Sequence, residues 1–167
     1  EYVLGLADDA LVLSHRLGEW IARAPQLEED VALANIGLDL LGQARSLLTY
    51  AGELEGAGRD EDDLAYLRDE RDFRNLQIVE RPNGDFGSTI ARLLAFSAYQ
   101  VELYGRLRSS DDPTLAAVAG KAIKEVAYRR DHATQWVKQR LSRIDEKTHH
   151  PIRVTHHAPR ENDANDD

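Results

Sequence analysis

Residues 28–55 read EEDVALANIGLDLLGQARSLLTYAGELE, and this stretch decides the fold. Its apolar residues recur at helical spacing, and acids open it, where the helix dipole favours negative charge. A second line of small or polar residues recurs at i, i+4, i+7 and i+11, and consists of Asn35, Asp39, Gly42 and Ser46. Leucines flank this line, so we expect it to face the core and not water. The stretch therefore predicts a long helix with a polar stripe inside a helical bundle.

Residues 113–142 predict another long helix with a matching stripe. That stripe consists of Lys121, Glu125, Tyr128 and His132. In bundles that hold two irons, a buried carboxylate is followed three residues later by a histidine on each of two helices. Here Asp39 is followed by Gly42, and Glu125 is followed by Tyr128. The two stripes predict the frame of a di-iron bundle without its imidazole ligands.

Two more helices complete the predicted bundle, at residues 2–23 and from about residue 85 to about residue 107. Between the second and third helices, residues 61–72 predict a short helical connection and residues 73–79 an extended one. Short links join the first helix to the second and the third to the fourth, and a longer crossover joins the second to the third. This arrangement is typical of the ferritin-like up-down bundle. We therefore expect an all-α, ferritin-like four-helix bundle domain over residues 1–142.

The C-terminal segment differs in composition. Residues 143–167 contain few large apolar side chains, so they predict a polar tail that is disordered or truncated. The pairs His149-His150 and His156-His157 could bind a metal adventitiously, but a solvated tail is the interpretation we favour.

The overall composition excludes several classes of protein. A net charge of −9 argues against nucleic-acid binding, which needs a basic face. No apolar run approaches the roughly 20 residues of a membrane-spanning helix, and no signal-like segment opens the chain. Cysteine is absent, so thiol catalysis and cysteine-held zinc are excluded. We expect a cytoplasmic protein without a membrane or nucleic-acid partner.

The polar stripes leave two interpretations of the centre. Asp9, thirty positions before Asp39, is a candidate for the first helix, and the third helix offers Ser97, Gln100 and Glu102 without a choice among them. Without imidazoles, the remaining oxygen ligands suit iron redox chemistry poorly. The favoured interpretation is a self-satisfied network of hydrogen bonds, with acids neutralised by Lys121, Arg45 or Arg92. The alternative is a bound cation without redox activity. We predict no catalytic and no metal-binding residue. His132 could reach the edge of this centre, but the favoured interpretation is a histidine that is hydrogen-bonded in the core.

Several segments resemble a known family, including LADDALVLSHRLGEW, RDERDFRN, PNGDF and KAIKEVAYRRDH. From about Tyr2 to about Leu141, the sequence resembles the C subunits of bacterial phenylacetyl-CoA epoxidases, in the PaaA/PaaC ferritin-like family. The resemblance implies a ferritin-like fold that has lost its irons, and therefore no cofactor in this chain. It also implies a hetero-oligomer with a homologous A subunit that keeps the di-iron site. Family chains continue through further helices, and this sequence departs from them after about Arg143.

What the resemblance implies about activity concerns the whole complex. The A subunit would epoxidise the aromatic ring of phenylacetyl-CoA with dioxygen, using electrons from a separate NADPH-linked reductase. This chain is then expected to be the non-catalytic, structural subunit. The alternative function is an independent ferritin-like metal-binding or adaptor protein.

A basic cluster lies in the predicted crossover, and its candidates for contact with CoA phosphates are Arg68, Arg71 and Arg74. Arginine suits phosphate recognition because its planar fork matches two oxygens. Acidic residues alternate with these arginines, so a solvated, salt-bridged loop is the competing interpretation.

Overall fold

The computed structural model describes residues 1–148, and the regular elements among them are all helical. The α-helices are α1 (Tyr2–Gly18), α2 (Leu27–Glu55), α3 (Glu61–Tyr66), α4 (Gln77–Glu80), α5 (Phe86–Leu107) and α6 (Pro113–Thr148), with a 3₁₀ turn at Glu70–Asp72. The four long helices form two closely packed pairs, α1 with α2 and α5 with α6, and α2 also contacts α6. The predicted all-α, ferritin-like bundle is confirmed.

Local chemistry sets the ends of the long helices. Gly56 ends α2 with a φ of 66°, a left-handed conformation that glycine adopts without strain. The Asp85 side chain accepts the Ser88 N–H at 2.6 Å and so caps the start of α5. Asp112 caps α6 in the same way, and its other oxygen accepts the Tyr50 hydroxyl at 2.6 Å. The start of α6 is thereby fixed to α2.

Side chains from all four long helices fill the core. Its largest wholly buried apolar side chains include Leu13, Leu17, Leu33, Ile36, Leu40, Leu47, Ile90, Leu93 and Phe96. At one end of the bundle, Phe86 lies between two tryptophans, with ring centroids 5.1 Å from Trp20 and 5.4 Å from Trp136. This aromatic cluster joins the end of α1 to α5 and α6.

The crossover between α2 and α5 is attached to α1 by two neighbouring acids. Asp8 is wholly buried and accepts the Arg74 N–H at 2.8 Å. Asp9 accepts the Leu76 N–H at 2.6 Å. An extended segment was predicted for residues 73–79, but the extended part ends at Leu76 and the one-turn helix α4 follows it. Asp9 fixes Leu76 at the position that precedes this turn.

The last helix is longer than the sequence predicted. It ends at Thr148 and therefore includes six residues of the segment that was predicted to be a tail. The reason is that residues 143–148, RIDEKT, include arginine, glutamate and lysine, which favour helix without needing burial. Residues 149–167, with both histidine pairs, lie outside the described part of the chain. Within residues 1–148, none of the helices combines the length and apolarity needed to cross a membrane.

Candidate functional site

The polar stripe of α2 lies at the surface, so the prediction that it faces the core was wrong. Asn35, Gly42 and Ser46 are exposed, and Asp39 is partly exposed. Leu38 and Leu41, which suggested a buried stripe, are themselves 65% and 43% exposed. The buried line of α2 runs through Leu33, Ile36, Leu40, Gln43, Ala44 and Leu47. Leucines occur on several faces of α2, and the packing of α1 selects this line.

The stripe of α6 is also peripheral, yet the structure brings the two stripes together. Lys121 and Tyr128 are exposed, whereas Glu125 is partly exposed. An open cleft of about 220 Å³ lies between α2 and α6, and its lining includes Asp39, Gly42, Gln43, Ser46, Lys121 and Glu125. Burial raises the pKa of Glu125, and the nearby charge of Asp39 adds to this effect. The structure therefore places parts of the two stripes side by side at a surface cleft, and not in the core.

The buried polar centre lies one helical turn from these stripes. Gln43 follows Asp39 by four residues, and Arg129 follows Glu125 by four. Four residues advance a helix by about one turn and rotate it by about 40°, which turns both side chains towards the core. Gln43 and Arg129 are both buried, and Arg129 is 0% exposed.

Helix α5 contributes three buried polar residues to this centre, at positions i, i+3 and i+7: Ser97, Gln100 and Tyr104. Arg129 Nη1 donates a 2.7 Å hydrogen bond to Gln100 Oε1. Gln43 Nε2 donates to the Tyr104 hydroxyl. Of the three α5 candidates that the sequence left open, Gln100 is the one bonded to Arg129, Ser97 is buried, and Glu102 is exposed.

Burial controls the charge of the centre. It raises the pKa of Tyr104, so the phenol is neutral at physiological pH. Burial lowers the pKa of Arg129 to about 10, which still leaves the guanidinium charged at neutral pH. Asp9 on α1 is 6% exposed, and burial raises its pKa to about 6. At neutral pH the centre therefore contains one cation among neutral amides and hydroxyls, and the carboxyl of Asp9 acts electrostatically on Tyr104 from α1.

These groups do not fit a di-iron site. Among residues 1–148, no three or more histidine or acidic side chains are grouped so that they could hold a metal ion. A buried guanidinium opposes a bound cation electrostatically, and its buried polar neighbours are amides and hydroxyls, whereas a di-iron site needs carboxylates and imidazoles. We therefore assign no chemical step to iron at this centre.

Arg129, and not Lys121, Arg45 or Arg92, is the buried cation of the centre. Arg45 pairs at the surface with Glu61, at 3.0 Å. Arg92 donates to the Arg81 carbonyl and the Asn83 side chain, outside the centre. The sequence contains a signal for Arg129, because it shares a helical line with Ala122, Val126 and Ala133, all buried. Sequence reasoning missed it because arginine usually lies at the surface.

The sequence also matches a known protein family over most of its length. Residues 1–153 match the sequence model of the phenylacetic acid catabolic protein family. The chain belongs to this family. It is 57% identical over 138 residues to the C subunit of 1,2-phenylacetyl-CoA epoxidase from Escherichia coli (strain K12). The alignment covers 83% of this chain but 55% of that relative, so the chain spans about half the length of the curated protein.

In this member of the phenylacetic acid catabolic family, His132 lies beside the centre and not within it. Its Nε2 is 3.1 Å from Glu29 Oε2 at the start of α2, and its ring stacks on Tyr128 with centroids 6.3 Å apart. Both members of the His132–Glu29 pair are largely buried. His132 therefore contributes to the contact between α2 and α6.

The basic cluster of this family member divides into one buried and two exposed arginines. Arg68 forms an ion pair with Asp8 and lies over the Phe73 ring, 4.2 Å from its centroid. Its guanidinium is not free to meet a phosphate, so the phosphate interpretation of Arg68 was wrong. Arg71 and Arg74 are exposed, and their contact with CoA stays a prediction.

Proposed function

We propose that this chain is a non-catalytic, structural subunit of a phenylacetyl-CoA ring 1,2-epoxidase that acts in phenylacetate degradation. The observation that carries the proposal is its 57% identity to the C subunit of such an enzyme. The buried Arg129 supports the non-catalytic role, since a buried guanidinium opposes the binding of a metal cation. In this proposal the di-iron site belongs to a homologous A subunit, and the complex is cytoplasmic.

The contribution of this chain is then to hold the catalytic subunit through a helical face. Two neighbouring hollows on α1, α2 and α3, of about 490 and 330 Å³, share Leu41 and Tyr66 in their linings. Ile21, Leu38 and Tyr66 are more than half exposed along this surface. A continuous apolar surface of this kind is typical of protein–protein interfaces. We therefore assign the face formed by Ile21, Leu38, Leu41 and Tyr66, the α1–α2 face, to the A subunit.

Contact with the substrate would come from the crossover. Arg71 and Arg74 are exposed, and the backbone of Arg74 is fixed by its hydrogen bond to Asp8. An exposed arginine on a fixed backbone is well placed to meet a phosphate of phenylacetyl-CoA at the subunit boundary. An independent ferritin-like metal-binding protein is the less supported function, because the donor set around Arg129 does not suit a metal.

Co-expression with a di-iron A subunit tests the proposal. We expect the two chains to elute together in size-exclusion chromatography, and phenylacetyl-CoA to be converted only when both chains and an electron-donating reductase are present. The chain alone is expected to leave phenylacetyl-CoA unchanged. Separate elution of two folded chains at micromolar concentration, or full activity of the A subunit without this chain, would contradict the structural role.

A further inference from the structure

One edge of the Arg129 guanidinium, formed by Nε and Nη2, is its free edge. The side chain is 0% exposed, and its Nη1 is bonded to Gln100. Nε and Nη2 are buried and have no hydrogen-bond partner within the described residues. In a guanidinium, the Nε–H and Nη2–H bonds lie in one plane and point in the same direction. They form the fork that receives the two oxygens of a carboxylate.

The charge of Arg129 is compensated only at a distance. None of the ion pairs formed within residues 1–148 includes it. Asp39 and Glu125 act on it electrostatically from the cleft, and Gln100, its hydrogen-bond partner, is neutral. A buried charge without a close counter-ion is costly. A bound anion at the free edge would remove this cost.

Two other buried atoms of the centre also lack partners in the described part of the chain. They are Ser97 Oγ, one helical turn from Gln100, and Gln43 Oε1. The serine hydroxyl can donate to an anion, and the amide oxygen can accept from a hydroxyl of the ligand or of a water molecule. Unpartnered buried polar atoms on α2, α5 and α6 indicate a polar ligand and not an apolar one.

The cleft provides a route to the centre. Gln43 lines the cleft and is bonded to Tyr104 in the centre, so a rotation of its side chain would connect the two. Lys121 lies at the same cleft and offsets part of the negative charge of Asp39 and Glu125. The cleft therefore presents charges of both signs on the way to Arg129.

We propose that the Nε–Nη2 edge of Arg129 binds a small planar monoanion of the carboxylate or bicarbonate type at the centre of the bundle. This site is independent of the proposed role in the epoxidase. The ligand is held by two parallel N–H donors and is sealed from solvent by Gln43. It stabilises the bundle by neutralising the buried guanidinium.

Formate is the probe that tests this site. The melting temperature of the full chain is measured in sodium formate and in sodium chloride at equal ionic strength, with formamide as the uncharged isostere. We expect a saturable rise specific to formate, of about 3–6 °C at tenfold excess over its dissociation constant. In wild-type protein with labelled arginine, the Nε–H resonance of Arg129 should also shift on formate addition. Absence of both effects would overturn the proposal.

Substitutions test whether formate binds the fork of Arg129 or responds only to the positive charge of its side chain. Arg129→Lys keeps the charge without the parallel donors, and should need at least ten times more formate for the same shift. Arg92→Lys is the matched control at another buried arginine, and should respond like the wild type. An equal response of Arg129→Lys would show that formate acts elsewhere. A response that appears only in Glu125→Gln would show that Glu125 itself occupies the fork, which would also overturn the proposal.

Discussion

Asp8 of α1 and Arg68 of the crossover form an ion pair whose side chains are 0% and 3% exposed. Both carboxylate oxygens receive the guanidinium, because Nη1 donates to Oδ2 at 3.0 Å and Nη2 donates to Oδ1. Asp8 also accepts the Arg74 N–H, so one carboxylate fixes two points of the crossover. The crossover is therefore a rigid part of the bundle and not a loose loop.

Loss of Arg68 should destabilise the whole bundle. Arg68→Met leaves Asp8 buried without its counter-ion, and we expect the free energy of unfolding to fall by about 3–5 kcal/mol. Urea denaturation measures this difference. Arg71→Met changes an exposed arginine of the same segment and should stay within about 0.5 kcal/mol of the wild type. Equal effects of the two variants would mean that the Asp8–Arg68 pair contributes little.

Asp9 should make the bundle less stable as the pH rises through the range of about 4 to 6. Burial raises its pKa from 3.8 to about 6 in the folded chain, so the folded state binds the proton more tightly than the unfolded state. Stability from this group is therefore present at acid pH and lost towards neutrality. Asp9→Asn keeps an oxygen for the Leu76 N–H and removes the titration.

We expect Asp9→Asn to be more stable than the wild type at pH 7, by at most about 3 kcal/mol. The two proteins should become similar in stability below about pH 4. Chemical denaturation over a series of pH values tests this, and a variant that is less stable at pH 7 would contradict the raised pKa.

The centre should depend on Gln100 and not on Asp39. Gln100→Leu removes the hydrogen-bond acceptor of a buried, charged Arg129, and we expect a loss of about 2–3 kcal/mol in the free energy of unfolding. Asp39→Leu changes a partly exposed side chain of the cleft and should alter stability by less than about 1 kcal/mol. Thermal melts of the two variants compare them directly. A larger loss of stability in Asp39→Leu than in Gln100→Leu would mean that the polar stripe, and not the centre around Arg129, supports the core.

Charge placed on the α1–α2 face should weaken association with the A subunit. The double variant Leu38→Asp with Leu41→Asp introduces two buried charges into the proposed interface, and we expect the affinity to fall by at least a hundredfold. Both leucines are exposed in the single chain, so its own stability should change little. Leu54→Asp is the matched control, on another face of α2. Co-elution with the double variant at the wild-type concentration would place the interface elsewhere.

The purified chain should not bind stoichiometric iron. The reason is the charge of Arg129 and the lack of imidazole ligands around it. Metal analysis after anaerobic loading with ferrous iron measures the iron content per chain. Two irons per chain, with the absorption of an oxo-bridged pair, would contradict the assignment of the centre.

Local patterns in the sequence were enough to predict the helices, but not which partners meet in the core. The helical period of residues 28–55 predicted α2 almost to its ends, because glycine stops it at Gly56. The orientation of α2 was not predictable from that period, since leucines such as Leu38 and Leu40 occur on different faces. The buried arginines were missed for a related reason. Arg129 meets Gln100 on another helix, and Arg68 meets Asp8 sixty residues earlier, so local spacing contains neither contact.

The aromatic cluster of Trp20, Phe86 and Trp136 has a consequence for spectroscopy. These two tryptophans are the only ones in the chain, and both contact the same phenylalanine ring. Intrinsic fluorescence therefore reports on one end of the bundle, where the end of α1 meets α5 and α6. Circular dichroism, in contrast, averages over every helix. Using both signals would distinguish fraying at the aromatic end from cooperative unfolding of the whole bundle.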